Sequence, residues 1–204
     1  MINWSDTGIV IATHRHGEKY KIVNIFTQDH GRMHAMVNLT KTPTFSIFSN
    51  VEVDYNAKDS GSLGFWKLKA EKQNWIFSMD SSRHLIVCQG MCFILNKLLP
   101  QGVQHKRLFD FTKYISDHLQ DFSEKEILLL YAYFEFSLLE DIGFQIENTD
   151  FLPRPDDLRE LPTILKTDPI ATNAKKLLLL AGNVIENNLL SIDNYYRSSI
   201  FKMI

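Results

Sequence analysis

No run of apolar residues in this chain approaches the roughly 18 that a membrane-spanning helix needs, so a membrane protein of helical type is not expected. The opening MINWSDTGIV has no basic segment followed by an apolar stretch, so no secretory leader is expected, and the expected location is the cytoplasm. Two cysteines in 204 residues are too few for a secreted disulfide scaffold. GxxxxGK[ST] and GxGxxG phosphate loops are both missing, as is a GxSxG nucleophile elbow. The carboxylates of Glu18, Asp29 and Asp54 have no spacing that general acid–base chemistry would demand. An enzyme is therefore not expected, and neither is a cofactor. Excess charge is lacking too, since the formal net charge is −2.

Metal sites fare no better on spacing. Cys88 and Cys92 lie four apart, one helical turn, and would share a helix face. No second Cys or His pair stands at ligand spacing, so both read as core thiols. His14 and His16 would share a strand face and His30 and His34 flank the next turn, again without a recognised ligand spacing. No bound metal is expected.

The chain does have 45% hydrophobic residues and 14 phenylalanines, enough for a sizeable core. Its texture changes near Asp80. The segments Gly8–His14, Lys19–Thr27, Arg32–Thr40, Val51–Tyr55 and Gly64–Phe77 read as five short strands, from β-branched content and alternation. Turn signals separate them at His16-Gly17-Glu18, at Asp29-His30-Gly31 and across Lys58–Gly64. Five antiparallel strands in about 70 residues fit an OB-fold or an SH3-like barrel, and alternation alone does not choose between them. The stretch Thr40–Asn50 is where an OB-fold would cross from its third to its fourth strand.

From Ser81 onward the apolar spacing becomes helical. Helices are expected from Ser81 or Ser82 to Leu99, and from about Gln104 to Gln120. A third should start at the capping box Ser123-Glu124-Lys125-Glu126 and stop at Gly143. A loop with Pro153, Pro155 and Pro162 follows, then helices over about Ala171–Asn188 and Ile192–Met203. The fold class expected is thus α+β in two domains, a β-barrel over 1–80 and an all-α domain over 81–204.

Charge divides along the same line. Residues 1–80 carry nine Lys and Arg against eight Asp and Glu, and the remainder carries 13 against 16. A surface for nucleic acid would have to be a local patch on the N-terminal part. The candidates are His14, Arg15, His16, Lys19, Lys21, Arg32 and Lys41, on the first three strands and their turns. By alternation Lys19 and Lys21 share a face, and Arg15, His16 and Arg32 stand close to the turns, so one positive strip is expected. Phe26, Phe45, Phe48, Phe65 and Trp66 supply either stacking surfaces or core, with core expected for most of them.

Three segments carry a resemblance. Asp6, Gly8, Ile9, Val10 and Ile11, then Gly17-Glu18, then Phe26, Thr27, His30 and Gly31 resemble the opening of RecO N-terminal domains. LLPQGVQHKRLFDF (Leu98–Phe111) is similar to that family's helical linker, and FEFSLLEDIGFQIE (Phe134–Glu147) to its central helix and Gly-Phe stop. The resemblance implies an OB-fold joined to a helical domain. It implies a mediator that binds and anneals single-stranded DNA, also contacts duplex DNA, and loads recombinase in the RecF pathway. Implied partners are RecR and the acidic C-terminal tail of single-stranded-DNA-binding protein. For that tail, Lys106, Arg107, Lys113 and Arg197 are the candidate rim cations beside apolar side chains. Two departures stand out. No cysteine occurs where many members carry a four-cysteine zinc motif, and VNLTKTPTF offers Lys41 alone where they tend to be rich in Gly, Arg and Lys. A protein-interaction adaptor and an RNA-binding OB protein remain the alternatives.

Overall fold

A computed structural model describes residues 1–40, 45–72, 81–144, 158–160, 163, 168–188 and 195–203. Among them five strands come first: β1 (Ile2–His16), β2 (Tyr20–Thr27), β3 (Gly31–Asn38), β4 (Asn50–Ala57) and β5 (Phe65–Lys72). Among the described residues five α-helices follow: α1 (Ser82–Leu98), α2 (Lys106–Asp117), α3 (Glu124–Asp141), α4 (Asp168–Asn188) and α5 (Tyr195–Met203). No described helix is long and apolar enough to cross a membrane.

The strands close into a barrel in the order β1-β2-β3-β5-β4. One long strand makes the closure possible. The first half of β1 pairs with β4 from Ile2 opposite Ala57 to Ile9 opposite Asn50. Its second half pairs with β2, from Gly8 opposite Thr27 to His16 opposite Tyr20. The register slips between Val10 and Ala12, and such a bulge bends a strand and sharpens its twist. β3 meets β5 in parallel at Met36 and Phe65, whereas the other strand pairings among the described residues are antiparallel.

Alternation fills the barrel. Val10, Val23, Ile25, Ala35, Val37, Val51, Val53, Tyr55, Trp66 and Leu68 form one buried cluster. The Trp66 indole N–H donates to the Val23 carbonyl (3.0 Å), as a buried indole requires. β1 begins well before the expected Gly8, because Ile2 and Trp4 pack against this cluster while Asn3 and Ser5 point to solvent. The fifth strand is described only as far as Lys72, so the rest of its expected span to Phe77, and the expected boundary near Asp80, lie outside the described residues. So does the proline loop.

The chain clusters into two compact units, one of Met1–Ile76 with Cys92–Asp117, the other of Phe77–Met91 with His118–Ile204. In the first unit a second layer covers the outside of β1 and β2. Ile9, Phe26 and Phe48 are buried there, and the Phe26 ring meets Phe109 edge to face at 5.4 Å. α2 supplies that layer from one face, burying Leu108, Phe109, Phe111, Thr112, Ile115 and Ser116 at helical spacing. The Asn50 amide donates to Asp117 (2.8 Å) and the Ser116 hydroxyl to the Asn50 side chain (3.1 Å).

In the second unit α3 is apolar nearly all round, with every residue from Ile127 to Phe136 buried. It starts at the expected capping box: Ser123 accepts from the Glu126 N–H, and Glu126 accepts from the Ser123 N–H. It ends where Gly143 takes a positive φ of 95°. Cys92 is a core thiol of the first unit, and burial pushes it up to about 12, so it is neither nucleophile nor ready ligand. Cys88 is buried as well.

Candidate nucleic-acid interface

The cations expected on the first hairpin are there. His14, Arg15, His16 and Lys19 are exposed at the β1–β2 turn and Lys21 is half-buried. The register sets Arg15 directly opposite Lys21. Residues paired across a ladder share a face, so these two side chains lie on one side of the hairpin. His14, opposite Ile22, and His16, opposite Tyr20, lie on the other side. The Arg15 guanidinium donates to the Gly17 carbonyl (3.3 Å), which holds it along the turn.

Arg32 does not join them. It stands opposite Phe26, five positions along β2 from Lys21, roughly 17 Å at the strand rise of ~3.3 Å per residue. The odd offset also puts it on the opposite face. Its Nε donates to the Leu99 carbonyl (2.7 Å), and burial lowers its guanidinium pKa from the ordinary value. Arg32 thus fastens the α1–α2 loop to β3, and the single strip expected from sequence is reduced to the hairpin. Lys41 lies outside the described residues.

Of the five aromatics, Phe26, Phe48 and Trp66 are core and Phe45 packs partly against it, whereas Phe65 is 46% exposed. Its ring meets Tyr20 edge to face at 6.2 Å. Tyr20 is a residue that the sequence reading missed, although alternation with Ile22 and Phe26 assigns its face. A second aromatic group lies at the start of β1. Trp4 stacks on His30 at 3.7 Å and on Tyr55 at 4.8 Å. His30 also contacts the Asp6 carboxylate through Nδ1 at 2.8 Å. Among the described residues no three His, Cys, Asp or Glu side chains gather as a metal would require.

The four candidate rim cations are not equivalent. Lys106 and Arg107 are exposed on α2, and Lys113 pairs with Asp117 (3.4 Å). Arg197 belongs to the second unit and is largely buried, with 16% of its side chain exposed. Its Nε lies 3.1 Å from the fully buried Glu135, and its guanidinium also donates to the Leu178 carbonyl. A charge neutralised inside the helices is not a rim cation, so Arg197 is removed from that set.

Residues 1–67, from the chain's start to the first residues of β5, match the family described as Recombination protein O N terminal. The chain is also similar to the DNA repair protein RecO of Wolbachia sp. subsp. Drosophila simulans (strain wRi), with 26% identity over 148 residues, 72% of this chain and 61% of that protein. The DNA repair protein RecO of Sinorhizobium medicae (strain WSM419) is 27% identical over 150 residues, 72% of this chain and 59% of the relative. That of Rhodopseudomonas palustris (strain TIE-1) is 28% identical over 150 residues, with the same coverage of 72% and 59%. The chain is RecO-like. It spans about three fifths of the length of these relatives.

The segments that carry the RecO-like resemblance have physical work in the fold. The Asp6 carboxylate accepts from the Thr7 and Asp29 N–H groups (2.7 and 3.0 Å) as well as contacting His30, tying β1 to the β2–β3 turn. Gly31, with φ 67°, lies so close to Val103 that a Cβ would collide with its carbonyl. The Gly102 N–H donates to the Arg32 carbonyl (3.0 Å), and Gln104 reaches the Gln28 carbonyl (3.3 Å). The His-Gly step and the Leu-Leu-Pro-Gln-Gly step are therefore two halves of one junction.

Proposed function

We propose that this chain is a recombination mediator in DNA repair. In this reading it is a non-catalytic protein that binds and anneals single-stranded DNA, also contacts duplex DNA, and helps load recombinase in the RecF pathway. The barrel is an OB-fold in this reading, supported by the order β1-β2-β3-β5-β4 and the parallel β3–β5 contact. One observation carries the proposal: the cationic hairpin of exposed Arg15 and Lys19 and half-buried Lys21 belongs to the barrel whose residues match the RecO N-terminal family. Phosphates meet such side chains without base-edge contacts, so binding is independent of sequence and falls with salt. RecR and the tail of single-stranded-DNA-binding protein are the proposed partners, the tail meeting Lys106, Arg107 and Lys113 on α2.

The test is the salt dependence of binding. Arg15, Lys19 and Lys21 are changed together to Ala, leaving Arg32 in place because it secures the junction. Each cation withdrawn from a phosphate lowers the slope of log affinity against log salt by about 0.7 for single strands, so a fall of about 2 is expected. A triple variant that binds and anneals like the parent, with an unchanged circular-dichroism spectrum, would sink the DNA reading and favour the adaptor.

A further inference from the structure

One row of side chains crosses four strands on the outer face of the barrel. The register aligns His14 of β1, Ile22 of β2, Met36 of β3 and Phe65 of β5. Tyr20 occupies the next row, between His16 and Asn38, and its ring leans edge-on to Phe65. Ile22, Met36 and Tyr20 are all part-exposed, and Phe65 is 46% exposed. Single exposed apolar residues are ordinary on a protein surface, but a contiguous group containing two aromatics is a candidate contact surface.

The orientation of Phe65 is fixed from within. Successive strand residues point to opposite faces, and Trp66 is locked inside by its bond to the Val23 carbonyl. Phe65 must then face out. Gly64 allows this, since a Cβ there would run into the Tyr55 ring. Side chains of both signs border the patch. Lys19 lies in the adjoining turn, His14 and His16 border it on β1, and Lys67 stands two positions beyond Phe65 on the same face, exposed. The nearby carboxylates are Glu18 in the turn, Asp54 opposite Lys67, and Glu52, which is already paired with Lys69 (2.9 Å).

Resting on the nucleic-acid reading above, we propose that Tyr20 and Phe65 form a base-stacking subsite for single-stranded DNA. An edge-to-face ring pair leaves aromatic faces open, and an unpaired base can stack on one of them. The cations flanking the patch are placed to meet the phosphates on either side of that base. A duplex keeps its bases stacked on each other and gains nothing from these rings. The subsite therefore discriminates single strands from duplex, which the cationic hairpin alone does not.

The full chain is measured by fluorescence anisotropy against an oligothymidine and an abasic strand of equal phosphate number. Phe65→Leu keeps apolar bulk but removes the ring. Affinity for oligothymidine should fall about tenfold, consistent with the removal of one stacked base. Affinity for the abasic strand and the salt slope should stay as in the parent, and Tyr20→Leu should show the same pattern. Phe65→Leu binding oligothymidine like the parent overturns the subsite, as does an equal weakening on both strands. In those outcomes the parent still binds DNA, so the mediator reading stands. A parent that binds neither strand at low salt removes both.

Discussion

Gly31 has a second reason for being glycine beyond the turn it closes. Its φ of 67° is one that a residue with a Cβ adopts at a cost of roughly 1 kcal/mol. Gly17, with φ 70°, has the same cost but nothing within 4 Å of the place a Cβ would take. At Gly31 a methyl group collides with the Val103 backbone, so the loop must withdraw. The bonds of Arg32 to Leu99 and of Gly102 to Arg32 go with it. Gly31→Ala is therefore expected to destabilise the protein by about 2–4 kcal/mol, against about 1 kcal/mol for Gly17→Ala. Urea denaturation of both variants measures the difference, and equal midpoints would mean that the junction contributes nothing. The turn glycine was legible in the sequence because turns have a local composition. Its contact with Val103 was not, because the two positions meet only through the tertiary fold.

Elements follow the same division between local and distant causes. The capping box at Ser123 and the stop at Gly143 bounded α3 from sequence, since both act within one helical turn. The parity of the strands was half legible. Alternation placed Lys19 and Lys21 on one face, and Lys21 does share its face with Val23 and Ile25 of β2, but only the register carries parity across a turn. That is why Arg32 was grouped with Lys21 although it points the other way. Arg197 failed for a related reason: nothing near it in sequence reveals that Glu135, on the most apolar helix, is its partner. This pair gives α3 and α5 a pH dependence. Burial pushes the Glu135 carboxyl above its ordinary range, and the Arg197 guanidinium opposes that only in part. The native state then holds the proton more tightly than the unfolded chain does. Stability from this group is greatest at acid pH and falls as pH rises from the ordinary Glu value near 4.3 through the raised native one. Glu135→Gln has no proton to exchange, so the parent-minus-variant stability should decline with pH across that window. Denaturation midpoints at a series of pH values give this difference, and a difference that rises with pH would show that the ion pair outweighs burial.

At the scale of the whole molecule, the sequence offered a cut near Asp80 because strand-like alternation gives way to helical spacing there. A change of secondary structure need not be a change of core. Cys92–Asp117 belongs with the strands because part of their outer face is apolar: Ile9 of β1, Phe26 of β2 and Phe48 just before β4 are buried to within 1%. Leaving three such side chains in water forgoes roughly 1.5–3 kcal/mol each. The sum is comparable to the entire stability of a small domain, about 5–15 kcal/mol. The polar clasp at Asn50, Ser116 and Asp117 would disappear as well. A fragment of residues 1–80 is therefore expected not to fold cooperatively, whereas residues 1–118 retain both the strands and the layer that covers them. Thermal unfolding followed by circular dichroism, with amide dispersion in proton–nitrogen spectra, distinguishes the two. A 1–80 fragment that melts cooperatively at the temperature of 1–118 would show that the strands close on their own core alone. It would also make the bare barrel the right object for the DNA-binding measurements. If instead only 1–118 folds, a failure to bind after truncation at residue 80 reports a collapsed barrel and says nothing of where the DNA lies.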